Sequence, residues 1–287
     1  MVYDCRMNKA QHECRVEVEQ GSIEARRRRR PGAFLVAGSL LWLLCATGCD
    51  LFDLDTTRLV AGSVIHSPAI DAPGGSLPEL TFASVFFGER EAGVDVFVFP
   101  PVGVVGADVQ LTIFAPGDSV RDVPLTGLDD GNYVSSSEND PNLTYQAGAS
   151  YRVEVSELDD FFEVDVEHAP APEAPQGAPG THTIGEPITV SRSQMRIAFI
   201  EVLRLEGGAV FETFSNRPTT HQEVLRVIAD PSSYQASSFE IPGDAFQQAG
   251  HYAIVLTTAV RGVPDFNLYS GSGVLVGAGE ARVIQVE

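Results

Sequence analysis

The apolar residues of the chain after its first 57 positions come in short runs rich in Val, Phe, Ile and Thr, separated by Gly, Pro, Asp and Asn. In one run Val109, Leu111 and Ile113 alternate with polar residues, and a period of two is that of a strand with one buried face. Strands separated by such turn residues predict an antiparallel β-sandwich. The strands predicted in the first half are 58–66, 80–87, 94–99, 108–114, 119–125, 132–135, 150–155 and 161–167.

The strand pattern stops at a proline-rich segment, 169–180, with the sequence Ala-Pro-Ala-Pro-Glu-Ala-Pro-Gln-Gly-Ala-Pro-Gly. Repeated prolines disfavour sheet pairing and favour an extended spacer. We therefore predict an all-β protein of two tandem antiparallel β-sandwich domains, 58–168 and 181–287, joined by this linker. The strands predicted in the second domain are 187–191, 195–205, 210–214, 223–228, 237–241, 252–260, 268–276 and 281–286.

One stretch of the second half is also compatible with a helix. Over 219–229 the apolar residues share one helical face, and Pro218 and the Asp230–Pro231 pair would bracket a short helix. A strand at 223–228 is the favoured prediction, with the helix as its alternative.

Each half contains an aromatic residue, then Ala-Gly, then a Tyr at the head of an alternating strand. The two copies run from Tyr145 to Tyr151 and from Phe246 to Tyr252. They resemble the tyrosine corner of immunoglobulin-like and fibronectin type III domains, in which the Tyr hydroxyl bonds to the upstream backbone. The resemblance implies that Tyr151 and Tyr252 are equivalent core residues.

The N-terminal part has the layout of a signal peptide. Five arginines at 26–30 precede an apolar run at 32–44, and small residues lead to Cys49. The apolar run is short for a transmembrane helix, which takes about 20 residues. Acidic residues follow it, which also disfavours a permanent span.

The four residues before and including the last cysteine, Ala46-Thr47-Gly48-Cys49, resemble the lipobox of bacterial lipoproteins, with Ala46 in place of the preferred Leu. The resemblance implies that 1–48 is a signal peptide with a long n-region. It further implies that Cys49 carries diacylglyceryl and acyl chains such as palmitate, and that 49–57 is a lipidated tether. The protein would then sit in the cell envelope with the membrane as partner, facing the periplasm or the exterior. A secretory signal and an uncleaved anchor are the alternatives.

The charge of the chain excludes nucleic acid as a partner. The sequence has 39 acidic and 19 basic residues, a net charge of −20, and its one lysine is Lys9. Binding to phosphate relies on clustered Lys and Arg, which displace counterions, and after the leader the arginines are scattered singly.

Two neighbouring turns carry the oxygen ligands that calcium prefers. The spacing of an EF-hand is absent, and Asp-Asp-Gly-Asn is also an ordinary hairpin turn. We expect no metal and no other cofactor; the calcium candidates are Asp129, Asp130 and Asn132, with Glu138, Asn139 and Asp140 in the next loop.

Histidines and serines form no complete catalytic motif. His66 and His168 could meet at one domain end to bind zinc, although satisfied or solvated histidines are commoner. The Ser-Gly-Ser-Gly run at 270–273 misses the Gly-x-Ser-x-Gly elbow, and the Gly-Asp-Ser triplet at 117–119 lies in a predicted hairpin. We predict a non-enzymatic binding or structural module, with another envelope protein as a candidate partner. The alternative is an envelope hydrolase or metal-dependent enzyme with its site at the sandwich loop ends.

Overall fold

The computed structural model describes residues 57–91, 93–117 and 119–287, which fall in one compact unit, Leu54–Glu287. The predicted signal peptide, Cys49 and all of the predicted tether except Thr57 lie outside the described residues. Among those described, no helix is both long enough and apolar enough to cross a bilayer. The strands are β1 (Thr57–Ser67), β2 (Ile70–Ala72), β3 (Gly75–Leu77), β4 (Leu80–Arg90), β5 (Val102–Gly103), β6 (Asp108–Ala115), β7 (Ser119–Pro124), β8 (Thr126–Gly127), β9 (Asn132–Ser136), β10 (Ser150–Glu157), β11 (Asp160–Val166), β12 (Thr181–His182), β13 (Ile188–Ser191), β14 (Ile197–Glu206), β15 (Ala209–Ser215), β16 (Ser238–Ile241), β17 (Gly250–Arg261), β18 (Val263–Pro264) and β19 (Gly273–Val286).

The all-β prediction is confirmed. Helical structure is limited, among the described residues, to α1 (His221–Ala229) and two short 3-10 helices, Ser232–Tyr234 and Gly243–Phe246. The predicted alternation is seen in β6, where Val109, Leu111 and Ile113 are buried, and most predicted strands lie within a few residues of their observed bounds.

A ten-stranded sheet forms the common layer of the molecule. Its main path is β15-β14-β17-β19-β1-β4-β9-β8, with β12 paired to β19 and β5 paired to β4. We call the face that carries Val60, Val276 and Ile254 the front face and the opposite face the rear face. Because strand side chains alternate, each strand contributes to both.

The front face packs against a five-stranded antiparallel sheet of order β18-β11-β10-β6-β7. This first core is a β-sandwich that joins the front-face residues of β1, β4 and β9 to the inward residues of β6, β10 and β11. Its members include Val60, Phe87, Leu111, Tyr151 and Val164.

Further along the same front face, a second core forms over β14, β17 and the end of β19. The covering layer is the β13–β16 pair and the 3-10 helix that ends at Phe246. Its members include Ile200, Ile254, Val190, Ile241 and Phe246. Two hydrophobic cores therefore lie on the front face of one sheet.

This shared sheet corrects the prediction that 58–168 and 181–287 are separate domains. β1 pairs in parallel with β19, in register from Ala61–Gly273 to His66–Ala278, so the sheet is mixed and continuous across both halves. Val274 and Val276 of β19 belong to the first core, whereas Ile284 belongs to the second. One long strand thus serves both sandwiches.

The strands predicted at 268–276 and 281–286 are joined in one strand, β19, across Gly277 and Gly279. It is continuous because the glycines fit a close approach of β17. A Cβ on Gly277 would lie 2.7 Å from the Thr258 carbonyl oxygen, so the pairing tolerates no side chain there.

The proline-rich segment 169–180 is packed rather than an exposed linker. Ala169 and Ala178 are buried, and the backbones of Gln176 and Ser191 exchange two hydrogen bonds of 2.9 Å. Its prolines still prevent a regular strand, but its buried alanines belong to the two cores that it connects.

Stretch 219–229 forms α1, so the favoured strand at 223–228 was wrong and the helical alternative is right. The N–H of Glu223 donates to Thr220 Oγ1 at 3.2 Å, and the N–H of Thr220 donates to Glu223 Oε2 at 3.1 Å. This capping box satisfies the first free N–H groups of the helix. Burial of Val224, Leu225 and Ile228 stabilises it further.

The strand predicted at 94–99 was also wrong, because Asp95 accepts hydrogen bonds from backbone N–H groups of the same segment. Its carbonyl accepts from the N–H groups of Val98 at 3.1 Å and Phe99 at 2.9 Å. Its Oδ1 accepts from the N–H of Phe97 at 2.9 Å. Local bonds of this kind offer the backbone an alternative to a sheet ladder, and a turn forms instead.

Both predicted tyrosine corners are present. Tyr151 and Tyr252 are each 1 % exposed, one in each core. The Tyr151 hydroxyl accepts from the N–H of Gln146 at 3.0 Å, and the Tyr252 hydroxyl donates to the Gln248 carbonyl at 2.9 Å.

Candidate functional site

The rear face of the sheet carries an open trough with a volume of about 660 Å³. Its floor consists of rear-face side chains of β1, β4 and β9, among them Ile65, Phe82 and Val134. One wall is the segment that leads into α1, from Arg217 to His221. Leu128 and Asp130 of the β8–β9 connection and Asn132 at the start of β9 also line the trough.

The wall holds its place through the packing of α1. His221, the first residue of the helix, stacks on Phe86 of β4 with ring centroids 3.9 Å apart and planes 12° apart. Leu225 packs with Leu59 and Phe86, and Val224 and Ile228 pack with Phe199. The sheet between α1 and β9 carries small or polar residues such as Ser63 and Ser84, which leaves the trough open.

The surroundings of His221 favour its uncharged form. Burial lowers the pKa of its imidazole below the ordinary 6.5, and the negative charge of Asp130 opposes this only in part. Nε2 is buried and has no hydrogen-bond partner among the described residues. This nitrogen is therefore not paired with a carboxylate or a hydroxyl, as a general base in a triad would be.

A partly buried ion pair supports the Arg217 end of the wall. The Arg217 guanidinium lies 3.1 Å from Glu201 Oε2. Burial raises the pKa of the Glu201 carboxyl, and Arg217 opposes that rise. Because this arginine is already neutralised by Glu201, the trough offers little net positive charge to a ligand.

The calcium candidates form turns. Oδ1 of Asp130 accepts from the N–H of Asn132 at 3.1 Å, and this bond is the main reason why the pKa of Asp130 is lowered. Gly131 has φ +81°, and a Cβ there would meet Gly103, so the turn is also a packing contact. Oδ1 of Asp140 likewise accepts from Asn142, at 2.8 Å.

No group of three or more His, Cys, Asp or Glu in the described part of the chain is placed to hold a metal ion. Asp130 and Asn132 line the trough, whereas Asp129 does not. The structure thus brings two of the six candidates to the trough, as a polar border. The expectation that no metal binds stays a prediction.

The histidine and serine candidates make contacts that stabilise the fold. His66 Nδ1 lies 3.3 Å from Thr81 Oγ1, and its ring stacks on Tyr145 at 5.3 Å. Burial lowers the pKa of His66. Ser272 is fully buried, and its Oγ accepts from the N–H of Val60 at 3.2 Å, so this serine braces β1 and is not an exposed nucleophile.

Sequence reasoning missed most of the trough because its parts come from both halves of the chain. Phe82 and Arg217 carry no local motif. The one readable signal was the pair Thr220 and Glu223, three residues apart after Pro218, which is the pattern of a capping box.

The comparisons with known proteins give no family. No protein-family model matches the chain, and no curated protein does. Among solved structures, the FN1–FN3 domains of chicken CNTN1 are 11% identical over 79% of this chain and 68% of that one, with a TM-score of 0.26. A tetra-tandem repeat in the extending region of a large adhesion protein is 8% identical over 77% of this chain, with a TM-score of 0.21. This chain spans 49% of that second structure, and neither similarity is close enough to assign a fold or a function.

Proposed function

We propose that this protein is a non-enzymatic binding module, held at the bacterial cell envelope by lipid on Cys49. The trough supports the binding role. Its volume lies within the range of known ligand sites, about 300–1,000 Å³, and its apolar floor is bordered by polar groups. Nε2 of His221 is buried, so it is not exposed to take a proton from a bound substrate.

The ligand that fits this chemistry best is a partly apolar segment of another envelope protein. Ile65, Phe82 and Val134 would contact its apolar side chains, while Asp130 and Asn132 would face its polar backbone groups. Phe82 is 44 % exposed, so an apolar side chain is available at the floor for a partner to cover.

We expect a photo-reactive phenylalanine analogue at position 82 to give one discrete adduct in living cells. The same analogue at Phe211 is the matched control, since Phe211 is 45 % exposed and lies on edge strand β15. Irradiation, blotting and mass spectrometry of the adduct would identify the partner. Equal adducts from both positions, or none from position 82, would argue against the trough as the binding site.

The similarity of residues 46–49 to a lipobox supports the anchor. Two or more acyl chains make membrane attachment stable, because each buried methylene contributes about 0.8 kcal/mol. We expect intact-mass analysis of membrane-extracted protein to show a chain that begins at Cys49 and carries lipid. Cys49→Ala should accumulate as precursor, and a mature protein with an unmodified Cys49 would refute the anchor.

A further inference from the structure

Three loops meet at the end of the molecule where β1 begins, and Arg58 holds them together. Its guanidinium pairs with Glu89 at the end of β4, and lies 2.8 Å from Glu157 at the end of β10. Its backbone pairs with Leu268, and its carbonyl accepts from the N–H of Tyr269 at 2.8 Å. The β4–β5 loop, the β10–β11 turn and the β18–β19 loop are therefore neighbours.

Strongly exposed apolar side chains lie along these three loops. Leu158 in the β10–β11 turn is 99 % exposed, and Phe266 before β19 is 91 % exposed. Phe99 in the β4–β5 loop is 64 % exposed, and Val102, the first residue of β5, is 72 % exposed. We call these four residues the apolar end.

The backbone conformation at Leu158 is a second, independent indication that the apolar end has a function. Its φ is +53°, a left-handed conformation that disfavours residues other than Gly, Asn and Asp. A leucine there is strained and gains no burial within the described chain. A strained and exposed leucine at this position indicates that another molecule covers this surface.

The length of the chain between Cys49 and β1 limits how far the apolar end can lie from a lipid anchor. Seven residues separate Cys49 from Thr57, and a fully extended chain spans at most about 3.5 Å per residue, so the first residue of β1 lies within about 28 Å of a lipid on Cys49. We propose that the apolar end dips into the headgroup region of the bilayer and orients the protein on the membrane, an inference that rests on the proposed lipid anchor. Aromatic and leucine side chains are favoured at that interface.

The charged residues beside the apolar end determine which lipid headgroups it favours. Asp159 and Asp160 follow Leu158, and Asp265 precedes Phe266. Carboxylates close to the surface repel anionic lipids. The apolar end is thus suited to zwitterionic lipid, and anionic lipid weakens its contact.

A vesicle experiment tests this without relying on how the cell processes the chain. Residues 49–287 include the whole compact unit, one cysteine and no tryptophan. The Cys49 thiol can be coupled to a maleimide lipid in phosphatidylcholine vesicles, with and without brominated acyl chains as quencher. Phe99→Trp and Phe266→Trp place an indole at the apolar end, and Phe211→Trp on β15 is the matched control.

We expect brominated lipid to quench roughly half or more of the Phe99→Trp and Phe266→Trp emission, because interfacial side chains reach about 5–10 Å into the boundary. Phe211→Trp emission should not change, and added phosphatidylglycerol should weaken the quenching. Quenching of both test indoles no greater than that of Phe211→Trp would overturn the proposal. So would test indoles that are already shielded from water before vesicles are added, since another copy would then cover the loops. An unmodified Cys49 in cells would refute the anchor alone and leave the vesicle result standing.

Discussion

Residues 54–168 expressed alone should show no cooperative unfolding transition in urea. The cut leaves the β1 edge from Ala61 to His66 without its partner β19 and removes Leu268, Val274 and Val276 from the first core. Open strand edges and an incomplete core both favour the unfolded or aggregated chain. Circular dichroism and amide dispersion by NMR would measure the loss.

The chain 54–287 is the control for that experiment. It should unfold in one transition, with a urea slope that matches the surface of the whole unit, because the slope scales with the area exposed. A dispersed amide spectrum and a cooperative transition for 54–168 alone would contradict the shared sheet and restore two independent domains.

Replacing either corner tyrosine by Leu should lower the free energy of unfolding by about 2–4 kcal/mol, because buried aromatic area and fit are lost. The Tyr151 ring stacks against Tyr145 at 6.0 Å, and the Tyr252 ring meets Phe246 edge-on at 5.5 Å. Both substitutions should move the same urea transition of 54–287, since the sheet is continuous. Phe211→Leu, an exposed ring, should change stability by less than about 0.5 kcal/mol.

Removal of the hydroxyl alone should lower the free energy of unfolding more at Tyr151 than at Tyr252. Tyr151→Phe leaves the half-buried N–H of Gln146 without an acceptor, at a cost of about 1 kcal/mol or more. Tyr252→Phe frees the carbonyl of Gln248, an exposed residue that water can reach, and should cost less. Unchanged urea midpoints for both Phe variants and both Leu variants would show that neither tyrosine supports its core.

Local patterns in the sequence were enough to predict the β class, most strands, the turn at Asp130 and both tyrosine corners. Each of these depends on residues within about ten positions of one another, through strand alternation, turn chemistry or an upstream hydrogen bond. The turn also supplied two polar groups of the trough, Asp130 and Asn132, but as calcium candidates. The failures at 94–99 and 223–228 were local too, since an Asp side chain and a capping box outcompeted the apolar spacing.

The tertiary structure alone decided which strands are neighbours. Side-chain alternation says which face of a strand is buried, but the N–H and C=O groups on its edges are the same in every strand, so no pattern in β1 identifies β19 as its partner. The shared sheet, the burial of 169–180, the trough between β9 and α1, and the convergence of three apolar loops on Arg58 all follow from that one pairing order. Each of these features joins residues that are far apart in the chain. The physical cause is the packing of two hydrophobic cores on one face of the shared sheet.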